Sequence, residues 1–237
     1  MSSSGKTYAI IPAAGLGVRM GNTRKQFLRL DGTPILSLTL RKFDACPLVD
    51  EIFVATRGED ARAVREMIIA ANISKKTTVG QGGDTRQQSV ENALRALPSD
   101  AALVAVHDAV RPFVSVDEIT AVIREAERSG ASILAVLCVD TVKQVERTRI
   151  TATIPRERIV LAQTPQVFLY SLLLNAFEQA RRDQFTGTDE ASLVERLGQE
   201  VTVVPGSPRN IKITAPHDLQ LAQFYLQQEQ AAPEKRA

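Results

Sequence analysis

Tryptophan is absent from the 237 residues, and cysteine and histidine occur only twice each. Cys46 and Cys138 are too few and too unpatterned for a disulfide framework or a zinc site, so each is expected to pack as a small apolar side chain. An excess of one charge is also missing. The 29 basic and 27 acidic residues leave a net charge of +2, too small to argue for a nucleic-acid partner. No run approaches the ~20 apolar residues of a membrane span. Residues 1–6 are polar and lack the apolar core of a secretory signal. The expectation is a cytoplasmic protein without membrane or nucleic-acid partners. No internal repeat or linker is found, and 44% hydrophobic with 24% charged residues is ordinary for a globule. A single domain over 1–237 is therefore expected, with a frayed polar tail at 228–237.

Two phosphate-binding signatures are absent as well. No G-x-x-x-x-G-K-[ST] occurs, and Gly15-x-Gly17-x-x is followed by Met20, with Gly21 one residue too late for G-x-G-x-x-G. What stands there instead is a buried-strand pattern at 8–11, a stop at Pro12, and then Ala13, Ala14, Gly15, Gly17 and Arg19. Residues with little or no side chain let backbone N–H groups approach a ligand, and Arg19 adds a full positive charge. This predicts a cradle for a nucleotide triphosphate, against a plain tight turn with a solvated Arg.

Strand and helix patterns alternate beyond this loop. The spacing predicts a helix from Pro34 to about Phe43, a strand at 51–55, a helix at 59–71 and a short strand at 77–79. Gly82-Gly83 then breaks the chain, Asp84 is expected to N-cap a helix to about Leu97, and 101–106 reads as a central buried strand. Ser115 caps a helix that Gly130 stops, and 132–139 is another buried strand. Residues 141–145 and 150–154 alternate, as in a hairpin that cannot bury its apolar side chains alone and so docks on something else, such as a second subunit. Helices are expected at 169–182 and at 188–197, with Thr188 as a candidate N-cap. A strand follows at 201–204, a strand-like segment at 210–214, and a last helix from Pro216 to about 227. The fold class is α/β: a Rossmann-like, mostly parallel sheet sandwiched by helices, with an inserted β-hairpin arm at about 140–160.

The unusual residue clusters fall at the carboxyl ends of predicted strands, where such sheets bind ligands. They supply Gly-rich backbone, one isolated carboxylate (Asp108) and scattered Arg, Lys and Thr. They supply no Ser–His–Asp set, no paired carboxylates and no metal cage. That inventory suits phosphoryl-type transfer, in which positioning and charge neutralisation carry the catalysis. Read locally, Asp108 caps a turn, Arg86 lies on a solvated helix face, and His107 and His217 are structural.

Seven segments then match one family in order. They are AAGLGVRMG (13–21) with Lys25, GGDTRQQSV (82–90), HDAVRPF (107–113), DTVK (140–143), QTPQVF (163–168), TDEASLVE (188–195), and NIKIT (210–214) with Pro216 and Asp218. In this, residues 7–227 resemble the 2-C-methyl-D-erythritol 4-phosphate cytidylyltransferases of the non-mevalonate isoprenoid pathway. The resemblance implies attack by the acceptor's phosphate on the α-phosphorus of CTP, with Mg²⁺ present and pyrophosphate released. It further implies that 13–17 cradle the triphosphate while Arg19 and Lys25 stabilise charge at the α-phosphate. Gly82, Gly83, Asp84 and Ser89 receive cytosine and ribose, a Cβ at Gly82 being expected to enter the base's space. Asp108 lies near nucleotide and metal. Arg111, Thr141, Thr164, Thr188 and Lys212 surround the methylerythritol phosphate, and Arg156 reaches from the arm into the partner's site in a homodimer. Arg24 stands where the family usually has Pro, with the expected effect of loosening Lys25, and Val110 replaces a common Ala. Two other readings stay open: a cytidylyltransferase for ribitol 5-phosphate, and a nucleotide-binding module without chemistry.

Overall fold

Alternation along buried strands decides the layers of this molecule. In the computed structural model, which describes residues 5–15 and 24–231, the chain order is β1 (Lys6–Pro12), β2 (Arg29–Leu30), β3 (Thr33–Pro34), α1 (Ile35–Asp44), β4 (Glu51–Thr56), α2 (Ala61–Ala70), β5 (Thr77–Gln81) and α3 (Arg86–Arg95). There follow β6 (Ala101–Val106), α4 (Val116–Ser129), β7 (Ala131–Leu137), β8 (Val142–Glu146), β9 (Arg149–Ile154) and β10 (Val160–Leu169). The chain closes with α5 (Tyr170–Arg182), α6 (Glu190–Glu195), β11 (Thr202–Pro205) and α7 (Pro216–Ala231). Ala9 and Ile11 of β1 point to one face, where they meet α1, α2 and α4 through Leu36, Leu40, Phe43, Val64 and Ile119. Tyr8 and Ile10 point to the other, against Val90 and Leu94 of α3 and Leu173 and Phe177 of α5. A strand buried on both faces needs apolar residues at every position, which is why these strands are continuous runs.

The sheet order is β11-β7-β10-β6-β1-β4-β5. All pairs are parallel except those of β10, which is antiparallel to β6 and β7. The expected α/β architecture is therefore present. β10 itself draws no assignment from the sequence, because Pro165 interrupts its run and the register breaks between Ala162 and Gln166. Since β10 runs against its neighbours, its interior residues Gln163 and Thr164 reach the rim where β6 ends.

Local rules explain most helix ends. Ser115 and Glu118 form a reciprocal capping box on α4, and Gly130 stops the helix in the left-handed region at φ 86°. Three expectations are corrected. Thr85, not Asp84, caps α3, because its hydroxyl accepts from Gln88 N while the Gln88 side chain reaches back. Asp189, not Thr188, caps α6, accepting from Ser192 N at 3.0 Å. The segment 210–214 is no strand: its alternation sends Ile211 and Ile213 into a small core with Phe113 and Leu226, and Ile213 N donates to Val110 O at 3.0 Å rather than to a sheet edge. The hairpin of β8 and β9 forms its own two-stranded sheet, with Ile150 64% and Val145 59% exposed. No helix of the described residues is long and apolar enough to cross a membrane.

Candidate active site

Two of the cavities among the described residues share a wall at the carboxyl ends of β1 and β6. The larger, about 430 Å³, is lined by Ala13, Ala14 and Gly15 on one side and by Gly83, Asp84 and Ser89 on the other, with Lys25, Asp108 and Lys212 between. The smaller, about 240 Å³, is lined by Arg111, Thr164, Gln166, Thr188 and Asp189. Arg86, Asp108 and Lys212 line both.

The first loop is held by its neighbours rather than by itself. Ala13 N donates to Ala55 O at 2.7 Å, Gln26 Nε2 donates to Ala13 O at 2.8 Å, and Arg57 Nε donates to Ala14 O at 3.2 Å. Gly17 and Arg19 lie outside the described residues. Lys25 opens a 3₁₀ turn, Lys25–Phe27, and its Nζ donates to Thr214 O at 2.7 Å, so the cation stands across the cleft mouth. Arg24 forms ion pairs with Asp60 and Glu59, which corrects the expectation that it loosens Lys25: the pair ties the turn to the segment ahead of α2.

The second loop closes on α3. Ser89 Oγ accepts from Gly83 N at 3.0 Å and donates to Thr85 O at 2.8 Å, which shapes the loop as much as it faces the cleft. Gly82 is buried and is not part of the larger cavity's lining. A Cβ there would stand 2.7 Å from Ala14 Cβ, so the contact of the two loops demands glycine.

Asp108 forms the floor, and it is not isolated. Its Oδ1 accepts from Arg86 Nε at 3.0 Å, and its Oδ2 lies 2.8 Å from Lys212 Nζ and 3.4 Å from Arg111 Nε. Burial alone would push this carboxyl up. The Arg86 guanidinium, Lys212 and Arg111 outweigh it and hold Asp108 well below the usual carboxylate range. Its backbone N–H donates to Thr164 Oγ1 at 3.1 Å, and that hydroxyl lies 3.0 Å from His107 Nδ1. His107 Nε2 is 3.0 Å from Arg111 O. The bonds are consistent with a single tautomer, in which Nε2–H donates to the carbonyl and Nδ1 accepts from Thr164. Burial takes the His107 pKa down to about 4, so the ring is neutral at pH 7. Thr164, expected to touch the acceptor, is buried with its hydroxyl already used on both sides.

Arg86 corrects the solvated-face expectation, since its Nη1 also donates to both oxygens of Glu190, at 2.7 and 2.9 Å. Arg86, Glu190 and Gln166 are the site residues that local reading misses. The signal available was their position inside segments already singled out, GGDTRQQSV, TDEASLVE and QTPQVF. Thr141 and Arg156 are exposed on the arm and line neither cavity; Arg156 Nη1 donates to Val139 O at 2.8 Å.

The comparisons with known proteins now bear on this geometry. Residues 7–228 match the IspD family model, 2-C-methyl-D-erythritol 4-phosphate cytidylyltransferase. The chain belongs to that family. A relative of that description from Solibacter usitatus is 54% identical, over 95% of this chain and 98% of its own. Another from Acidobacterium capsulatum is 52% identical, over 94% and 98%. Among solved structures, 4-diphosphocytidyl-2C-methyl-D-erythritol synthase from Anaerococcus prevotii superposes with a TM-score of 0.86 at 30% identity, covering 94% of this chain and 96% of its own. The Thermus thermophilus 2-C-methyl-D-erythritol 4-phosphate cytidylyltransferase gives 0.78 at 35% identity, covering 94% and 99%. For this family member, the first loop and the Asp108 floor are the places to seek the chemistry.

Proposed function

We propose that this enzyme transfers CMP from CTP to 2-C-methyl-D-erythritol 4-phosphate, giving 4-CDP-2-C-methyl-D-erythritol and pyrophosphate for isoprenoid precursor synthesis. The observation that carries the mechanism is the shared wall. A nucleotide in the larger cavity and a phosphate acceptor in the smaller would meet at Arg86, Asp108 and Lys212. An acceptor phosphate oxygen attacks the α-phosphorus, the bond to the bridging oxygen of the β-phosphate breaks, and that oxygen leaves on pyrophosphate.

The protein's part is positioning and charge. Backbone N–H groups of Ala14 and Gly15, with Gly17 and Arg19, cradle the triphosphate. Lys25 and Arg19 neutralise charge gathering on the α-phosphate, where a preorganised donor acts most strongly. Gly83, Asp84 and Ser89 receive the nucleoside. Arg111, Lys212 and Thr188 grip the acceptor. Thr164 and His107 hold the Asp108 backbone rather than the acceptor itself. Among the described residues no group of three or more His, Cys, Asp or Glu could hold a metal. The site therefore fits Mg²⁺ only as an ion shared with substrate phosphates, with Asp108 as the protein ligand. When bound, it would draw charge off the phosphoryl oxygens.

The arm completes the proposal. Its exposed Val139, Val145 and Ile150 fit a two-fold dimer, and Arg156 then reaches the acceptor phosphate in the partner's site, where a guanidinium can take two oxygens at once. We place the work in the cytoplasm, which holds CTP. The test is pyrophosphate release from CTP with 2-C-methyl-D-erythritol 4-phosphate, run beside ribitol 5-phosphate. Faster turnover of the first is expected. Preference for ribitol 5-phosphate would change the acceptor, and no release with either would remove the reaction.

A further inference from the structure

Glu190 is a buried carboxylate that the reaction above leaves without a task. It is 1% exposed, opens α6, and gives both oxygens to Arg86 Nη1. Such a pair is rarely kept for stability alone, because packed apolar residues of similar volume are often as stable. Arg86 opens α3 directly behind the loop 82–85 and donates from Nε to Asp108 Oδ1 at 3.0 Å. One guanidinium thus joins the amino ends of two helices to the central carboxylate. Gln87 reinforces the same junction: its Nε2 donates to Phe185 O at 3.2 Å and its Oε1 accepts from Gly187 N at 3.0 Å.

The charges then sort by task. Asp108 has three cationic neighbours, Arg86, Arg111 and Lys212. Arg111 and Lys212 line the cavity beside Thr188, and a phosphate entering there competes with Asp108 for both. If they turn to the phosphate, Arg86 is the one of these three side chains that stays with buried Asp108. Arg86 cannot follow the phosphate, because Glu190 holds it from behind.

We propose that Glu190 is a positioning residue for the transfer: by anchoring Arg86 it keeps Asp108 in place while Arg111 and Lys212 pass to the acceptor phosphate. This rests on the cytidylyl transfer proposed above. It makes Glu190 matter to the acceptor far more than to CTP, which a mere strut between helices would not do.

The experiment is steady-state kinetics of the full-length enzyme with CTP and 2-C-methyl-D-erythritol 4-phosphate, for wild type, Glu190→Gln, Glu190→Asp, Arg86→Met and the double variant Arg86→Met/Glu190→Leu. The double variant leaves no lone buried charge and so guards against misfolding. Glu190→Gln should lower kcat/KM for the acceptor by roughly 10- to 100-fold, as displacement of a positioned group does, with a much smaller change in KM for CTP. Glu190→Asp should recover part of the loss. The double variant should be no worse than Arg86→Met, because both act through one guanidinium. Wild-type acceptor kcat/KM in folded Glu190→Gln or in the double variant would overturn the proposal, as would additive losses or equal losses for both substrates. A wild-type enzyme that makes no product would overturn the transfer reaction instead.

Discussion

The floor around Asp108 and the hairpin arm follow opposite rules. At the floor every charged group has its partner within the chain: Asp108 is 6% exposed and meets three cations, and Glu190 is answered by Arg86. On the arm, Val139 is 78% and Ile150 64% exposed, and among the described residues Arg156 meets the Val139 carbonyl and Glu157 at 3.9 Å. A buried charge must be satisfied in the monomer or the monomer does not fold. An exposed apolar hairpin can wait for a second chain. The contrast divides the site into a part finished by folding and a part that we propose is finished by assembly.

The largest effect expected from breaking this contrast lies in the part finished by folding. Lys25→Ala should cut turnover by ~10²–10³ with the fold intact, as loss of one preorganised donor does, and unchanged turnover would move that role away from Lys25. Next comes acid. His107 has a folded pKa of about 4 against an ordinary 6.5, so below pH 6.5 the unfolded chain binds more protons than the folded one. Its neutral ring therefore stabilises the fold above pH 6.5, and a contribution on the order of 3 kcal/mol is lost as pH falls towards 4. Denaturant melts from pH 7 to 4 should show this slope, flattened in His107→Gln, and an equal slope in both would assign it elsewhere. The smallest effect belongs to the arm. Ile150→Asp should leave the melting temperature nearly unchanged yet yield monomers in sedimentation, with acceptor kcat/KM down by about tenfold, or 1.4 kcal/mol. A stable dimer in that variant would take Ile150 out of the interface.

Legibility in the sequence follows the range of the physics. β6 and the HDAVRPF segment at its end were legible because a doubly buried strand and the turn after it are local patterns. Ser115, Glu118 and Gly130 were legible because caps act within one turn. The alternation at 210–214 was legible, but a lone extended segment over a small core has the same period as a strand. β10 was hidden by Pro165, which a central strand tolerates here only because the register breaks around it. The Arg86–Glu190 pair was hidden by distance, since 104 residues separate its members and only the tertiary fold brings them to 2.7 Å. Gly82 was legible as a required glycine, and the contact with Ala14 across the two loops is not visible in its local sequence.

The measurement that bears most directly on the two-part site is subunit mixing. Lys25→Ala and Arg156→Ala enzymes, each weaker than wild type alone, are combined under conditions where exchange is confirmed by mass. If Arg156 acts across a two-fold axis, half the dimers in an equal mixture are mixed and each has one site with both residues intact, so about a quarter of wild-type activity should return. No recovery despite confirmed exchange would show that Arg156 serves its own chain's site or none, and the division between floor and arm would fall.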